Sequence, residues 1–332
     1  MTEKLKIYVT ARIAEILLKD AEGFEFFKSD GRTVNKNALL TRLIVNYHLK
    51  FAREQEETIA FLKKKIAPVT HLAADALDSL CCGICEKLNE RVAASNGEKF
   101  DKLISLKPTK ESEPLINYIE QYSLAGRTLS EYFRSMFAAY ASLPQDKREE
   151  IIFKPQVDAI LKAVKEKKQI FITTKNNRFR RMEISPYSIA NSKEELHLYV
   201  LATQPRGCIT VRLSRITSVV QLPAEAKFTQ ENIAALQKMI KYGPQFRCRD
   251  NEDEVLVKLT AAGIEKFRKI YVHRPIPIGV EGDFYRFDCS HTQIVQYFSR
   301  LGADAEIIYP ESVRTEIYNF HRRAANAYDN KN

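Results

Sequence analysis

The sequence predicts an α+β multidomain protein with a helical region first, a small β-barrel at the centre and an α/β layer last. Three observations predict it. Four short β-patterned runs crowd between Ile170 and Leu213, a strand–helix–helix pattern at the start recurs 95 residues later, and strand and helix patterns alternate after Pro223. At 332 residues the chain has room for two or three domains, each with a core of its own. The expected boundaries are 1–150, 151–225 and 226–332.

The central runs are Ile170–Thr174, Arg178–Ile184, Leu196–Ala202 and Cys208–Leu213. Turn-like breaks separate them at Asn176-Asn177, Ser185-Pro186 and Gln204-Pro205-Arg206-Gly207. Strands this short and evenly spaced close into a small barrel more often than they form an open sheet. Residues 151–222 hold thirteen Lys and Arg against five Asp and Glu, which accounts for eight of the chain's formal charge of +10. A basic surface without a purpose scatters its charge, whereas this one concentrates it. That favours an anionic partner, nucleic acid first and an anionic membrane second.

The order Arg181-Met-Glu-Ile-Ser-Pro-Tyr187, His197-Leu-Tyr199-Val-Leu201, Val211-Arg-Leu-Ser-Arg-Ile216 resembles the WYL domain, an Sm-like β-barrel module of bacterial regulators. The Trp-Tyr-Leu signature reads Leu198-Tyr199-Val200 here, and Ser214 stands where the last run usually has Asp. The resemblance implies a barrel face that binds nucleic acid or another anionic ligand through Tyr187, Tyr199, Arg212 and Arg215, with Arg181 beside them. Arg180, Lys175, His197 and Ser214 complete the candidate set. The cations would neutralise phosphates. Tyr187 and Tyr199 would either stack on bases or fill the barrel core with their hydroxyls satisfied internally.

At the start, Lys4–Thr10 alternates polar and apolar residues, as a half-buried strand does, with Leu5, Ile7 and Val9 inward and Lys4, Lys6 and Tyr8 outward. A helix over Ala11–Phe27 follows, then a second that starts at the N-cap Asn35 and runs through Tyr47. This resembles a ribbon-helix-helix unit, which needs a second strand to close. Gly31-Arg-Thr-Val-Asn35 recurs as Gly126-Arg-Thr-Leu-Ser130, with Lys102–Lys107 as a strand and Glu113–Tyr122 as a helix ahead of it. Two copies, at about 1–50 and 100–142, are therefore expected to pair near residues 5 and 104. If such a module reads DNA, Lys4, Lys6 and Tyr8 would face the groove. Arg32 and Arg127 would reach phosphate or remain solvated turn residues. Leu103 and Ile104 suit base readout poorly.

Between the copies, Gln55–Lys65 and Val69–Ala94 read as helices. Leu72, Ala76, Leu80, Ile84 and Leu88 form a stripe expected to be core. Cys82-Gly-Ile-Cys85 has redox-motif spacing but lies in a helical pattern without a second pair, so its thiols read as small apolar residues. After Pro223, helix Thr229–Lys241 leads into strands Glu254–Leu259, Ile270–Ile278, Phe284–Cys289 and Ala305–Ile308 and helices Ala262–Lys269, Gln293–Leu301 and Ser312–Tyr328. The order suggests a ferredoxin-like layer. The run Leu301–Pro310 resembles the extension that follows WYL domains, which implies a homodimer through the barrel or this layer.

There is no Gly-x-x-x-x-Gly-Lys loop or His-Glu-x-x-His site, and the six histidines are scattered singly, so no metal, cofactor or catalysis is expected. His197 as a general base is the one conceivable exception. No apolar run approaches the ~20 residues of a membrane span, and no signal-peptide core follows Met1, so a cytoplasmic protein without membrane contact is expected. The whole domain order resembles the accessory proteins encoded beside type VI-D CRISPR effectors. That resemblance implies binding of single-stranded RNA and stimulation of the RNA-guided ribonuclease effector. The alternative is a WYL-family transcriptional regulator that holds DNA through its N-terminal module and senses a ligand at the barrel.

Overall fold

A five-residue strand, β1 (Leu5–Val9), opens the chain and pairs antiparallel with β2 (Lys102–Leu106), with Ile7 opposite Ile104. The pairing expected near residues 5 and 104 is present. Ile7, Val9 and Leu106 are buried, while Lys6, Tyr8, Leu103 and Ser105 face outward. The computed structural model describes residues 4–94, 97–124, 126–175, 181–192, 194–249 and 252–329. It divides into two compact units, Met1–Pro155 and Gln156–Asn332.

In the first unit, Thr10 caps α1 (Ala11–Gly23) and Asn35 caps α2 (Lys36–Ile66), each side-chain oxygen accepting a backbone N–H three residues on. The two helices expected over Asn35–Tyr47 and Gln55–Lys65 are one rod of 31 residues. No Pro or Gly interrupts it, and buried Phe51 ties its middle to the core. A 3-10 turn over Ala67–Val69 reverses the chain into α3 (Ala74–Ala93). After β2 come α4 (Glu113–Tyr122), α5 (Leu129–Ser142) and α6 (Gln145–Ile152). The repeated Gly-Arg-Thr turn places Gly31 at φ +66° and Gly126 at φ +89°, a region that favours glycine. In the second copy the cap is Thr128, which forms a capping box with Glu131. Ser130 instead donates to the Lys6 carbonyl and so fastens α5 to the ribbon.

The stripe expected as core is not core. Leu80 is 42% and Leu88 45% exposed, Leu72 and Ala76 are also exposed, and Ile84 is half-buried. The helix turns Cys81 and Cys85 inward instead, where the Cys85 thiol and the Asn89 side-chain amide both donate to Oε1 of Gln55. Small thiols permit the close approach to α2, and the wide leucines are left outside.

A buried ionic cluster closes this unit. Asp20 of α1, 2% exposed, accepts two hydrogen bonds from Arg148 of α6 at 2.7 and 2.9 Å and one from the Tyr140 hydroxyl of α5 at 2.7 Å. Burial, and then Asp20 beside it, pushes the Tyr140 phenol well above its ordinary range, so it stays a donor.

In the second unit, α7 (Lys154–Lys165) leads into β3 (Lys168–Thr174), β4 (Arg181–Asn191), β5 (Leu198–Gln204), β6 (Gly207–Arg212) and β7 (Ile216–Glu225). They form one antiparallel sheet in the order β6-β5-β4-β3-β7. Two expectations are corrected here. Ser185-Pro186 is no turn but lies inside the eleven-residue β4, where the register shifts between Pro186 and Ser188 and a bulge takes up the proline. Residues 216–225 form a fifth strand where the sequence suggested four.

Next come α8 (Gln230–Tyr242), β8 (Val255–Leu259), α9 (Ala261–Lys269), β9 (Gly279–Glu281), β10 (Phe284–Phe287), α10 (His291–Phe298), β11 (Ala305–Tyr309) and α11 (Glu311–Asp329). The second sheet runs β11-β8-β10-β9, antiparallel throughout. The strand expected over Ile270–Ile278 is irregular chain, since Pro275 and Pro277 remove two of its ladder donors; β9 begins only at Gly279. Among the described residues no helix is long and apolar enough to cross a membrane.

Replacing Arg148 by Ala should leave Asp20 a poorly compensated buried charge and lower the stability of the first unit by roughly 3–5 kcal/mol, read from the urea midpoint. Thr128→Ala should cost about 1 kcal/mol through the lost cap. Equal effects of the two would contradict this account of the core.

Candidate nucleic-acid interface

The end of β6 builds the basic face. Arg212 is its last residue, and a 3-10 turn over Leu213–Arg215 follows. Residues three apart lie above one another in such a turn, so Arg212 and Arg215 come to the same side while Leu213 and Ser214 are buried. Both arginines line a cleft of about 220 Å³, together with Thr174, Met182, Ile209 and Val211. Its floor is largely apolar and its rim is cationic. The Lys175 N–H donates to the Arg215 carbonyl at 2.9 Å, which brings Lys175 to the same end of the sheet. Arg181 is exposed on β4 opposite Thr173 of β3. Arg180 lies outside the described residues.

His197 touches Arg212, with Nε2 and Nη2 2.6 Å apart. A guanidinium offers only donors, so Nε2 is the acceptor and the ring proton belongs on Nδ1. The lone pair that would serve a general base is already engaged. Ser214 Oγ is fully buried and has no hydrogen-bond partner among the described residues.

The tyrosines stand differently from the arginines. Tyr199 pairs across the sheet with Arg212, yet it is only 9% exposed and its hydroxyl donates to Glu195. Burial first, then Glu195, pushes its phenol well above the ordinary value. Of the two readings open from the sequence, this arrangement matches a core tyrosine with its hydroxyl satisfied. Tyr187 is not brought to the cleft. Its ring meets Phe228 edge-on at 5.6 Å and packs against the buried cluster that includes Leu236 and Met239 of α8.

In the first unit, Lys4, Lys6 and Tyr8 are exposed on the ribbon as expected. Arg32 is exposed in a turn that Asp30 organises by accepting from the N–H groups of Arg32 and Thr33 and from the Thr33 hydroxyl. Those bonds, the hydroxyl's first, hold the Asp30 carboxyl down at about 2. Arg127 is placed otherwise. It donates to the Leu124 carbonyl, lies 3.6 Å from Glu86 and covers the Tyr132 ring, in a cleft it shares with Glu90 and Glu131. An arginine ringed by carboxylates is not offered to phosphate.

Two residues at the site escaped the sequence reading. One is Glu195, the acceptor for Tyr199. The other is Arg247, which lines the same cleft as Arg212 and Arg215. Glu195 is only four residues from Tyr199, but no motif marks the pair, whereas Arg247 is brought to Cys208, 39 residues away, by the fold alone.

No family model matches the sequence, and no curated protein matches it. Among the solved structures similar to the chain are these two. One, of the proteasome accessory factor B/C (PafBC) of Arthrobacter aurescens, aligns over 66% of this chain and 36% of that one with a TM-score of 0.24 and 16% identity. The other, described as a CRISPR Cas-related protein, covers 100% of this chain and 95% of that one with a TM-score of 0.61 and 19% identity, so the two share a fold.

Proposed function

We propose that the chain is a non-enzymatic accessory protein that binds single-stranded RNA on its central sheet and stimulates a type VI-D CRISPR RNA-guided ribonuclease. The observation that carries this reading is the cleft itself, where Arg212 and Arg215 stand over a floor of Met182, Ile209 and Val211. An apolar floor accepts a base or sugar, and guanidinium planes at the rim hold phosphate by forked hydrogen bonds or stack on a base. The engaged lone pair of His197 supports a binding role over hydrolysis. A neighbour described as CRISPR Cas-related supports the association with an effector.

The topology supports the finer labels as well. Numbered along the chain, the five central strands lie in the order 4-3-2-1-5 behind a helix, which suits an Sm-like WYL barrel. The last four lie in the order 4-1-3-2 of a ferredoxin-like layer. The β1–β2 ribbon with its capped helices suits a pseudo-dimeric ribbon-helix-helix. A homodimer through the barrel or the last layer belongs to the same proposal. The outward Lys6 and Tyr8 of the ribbon favour the second reading, a regulator that holds duplex DNA.

Fluorescence anisotropy with a ~30-nucleotide RNA at several salt concentrations tests this, with matched single-stranded and duplex DNA alongside. RNA should bind with an affinity that falls as salt rises. The Arg212→Ala/Arg215→Ala variant should bind more weakly and lower the logarithmic salt slope by roughly 1.4, two contacts at about 0.7 each. It should also lose the stimulation of the ribonuclease. A preference for one duplex sequence, indifferent to the double variant, would establish the regulator instead.

A further inference from the structure

We propose that Arg247 is a third anion ligand of this cleft, delivered by the C-terminal layer and held in place through Ser290. The proposal rests on the cleft being the RNA site. Arg247 belongs to the segment between α8 and β8, outside the motifs of the central sheet, yet it lines the cleft with Arg212 and Arg215. Its neighbours Phe246 and Cys248 are buried while Arg247 itself is exposed, so the residue is held out between two anchors. Phe246 meets the His273 ring edge-on at 5.0 Å.

The side chain is fixed from the barrel side. Nε donates to the Cys208 carbonyl at 2.7 Å and Nη2 reaches the Arg206 carbonyl at 3.5 Å. The Thr210 hydroxyl donates to the Pro244 carbonyl at 2.7 Å and lays the same segment along β6. Nη1 has no protein partner among the described residues, which leaves it to a ligand. The backbone is fixed from the other side. The buried Ser290 hydroxyl, at the N-cap of α10, donates to the Arg247 carbonyl at 2.7 Å and accepts from the Thr292 N–H, and the Thr292 hydroxyl adds a longer contact at 3.4 Å. One residue therefore has its guanidinium on the barrel and its carbonyl in the C-terminal layer. A guanidinium already held by two carbonyls gives up little freedom when it takes a phosphate oxygen.

The test adds three variants of the full chain to the RNA titration. Arg247→Ala should weaken binding about tenfold and lower the salt slope by roughly 0.7. Arg247→Lys should keep the slope and lose part of the affinity. Ser290→Ala should weaken RNA binding in the wild-type background and have no further effect in the Arg247→Ala background, the non-additivity of one linked pair. A merely structural loss at Ser290 would act in both. If Arg247→Ala binds with wild-type affinity and slope while Arg212→Ala/Arg215→Ala fails, the third ligand is overturned and the cleft stands. If the double arginine variant also binds normally, the cleft reading falls first and takes this proposal with it.

Discussion

A guanidinium that leaves water must find acceptors, and that constraint sorts the cations of this chain into those held in the core and those left at a surface cleft. Arg148 enters the core because Asp20 meets it with both oxygens. Arg127 is covered because Glu86 and the Leu124 carbonyl receive it. Arg134 donates to the Tyr8 carbonyl and lies on the Phe100 ring. At the cleft the acceptors are weaker, a ring nitrogen for Arg212 and main-chain carbonyls for Arg247.

The cleft also shows how little sequence is needed to gather cations when the backbone does the positioning. A strand that ends at Arg212 and tightens into a 3-10 turn brings two cations to the same cleft. The apolar floor comes from the same sheet, from Met182 of β4 and from Ile209 and Val211 of β6. The cysteines follow a different logic. Burial raises the thiols of Cys85 and Cys248, the latter to about 12, so they pack as small apolar groups with little thiolate character.

What the sequence made legible was local. Asn35 acts as the cap that its residue type suggests, and the alternation in Lys4–Thr10 gives the strand and its inward face. The 95-residue repeat anticipated the ribbon because each half lacks a strand partner without the other. What stayed hidden depended on distant partners. Arg247 is 39 residues from Cys208 and 43 from Ser290. The leucine stripe of α3 misled because periodicity shows that one face is apolar but not that a neighbour covers it. The smaller Cys81 and Cys85 won the buried side by fitting closer to α2. Tyr187 and Tyr199 were ambiguous for the same reason: an aromatic ring suits a base and a core equally well, and only Phe228 and Glu195 separate the two.

The ribbon has one more consequence, and it concerns synthesis. β1 emerges from the ribosome about a hundred residues before β2, which at typical translation rates is a wait of roughly 5–20 s. During that time Ile7 and Val9 have no strand beside them, and helices α1 to α3 form ahead of the sheet that seats them. The N-terminal unit is thus committed to a non-local closing step, the kind that slows folding and leaves an unpaired strand exposed to other nascent chains. Its first few residues wait for a strand that follows three helices.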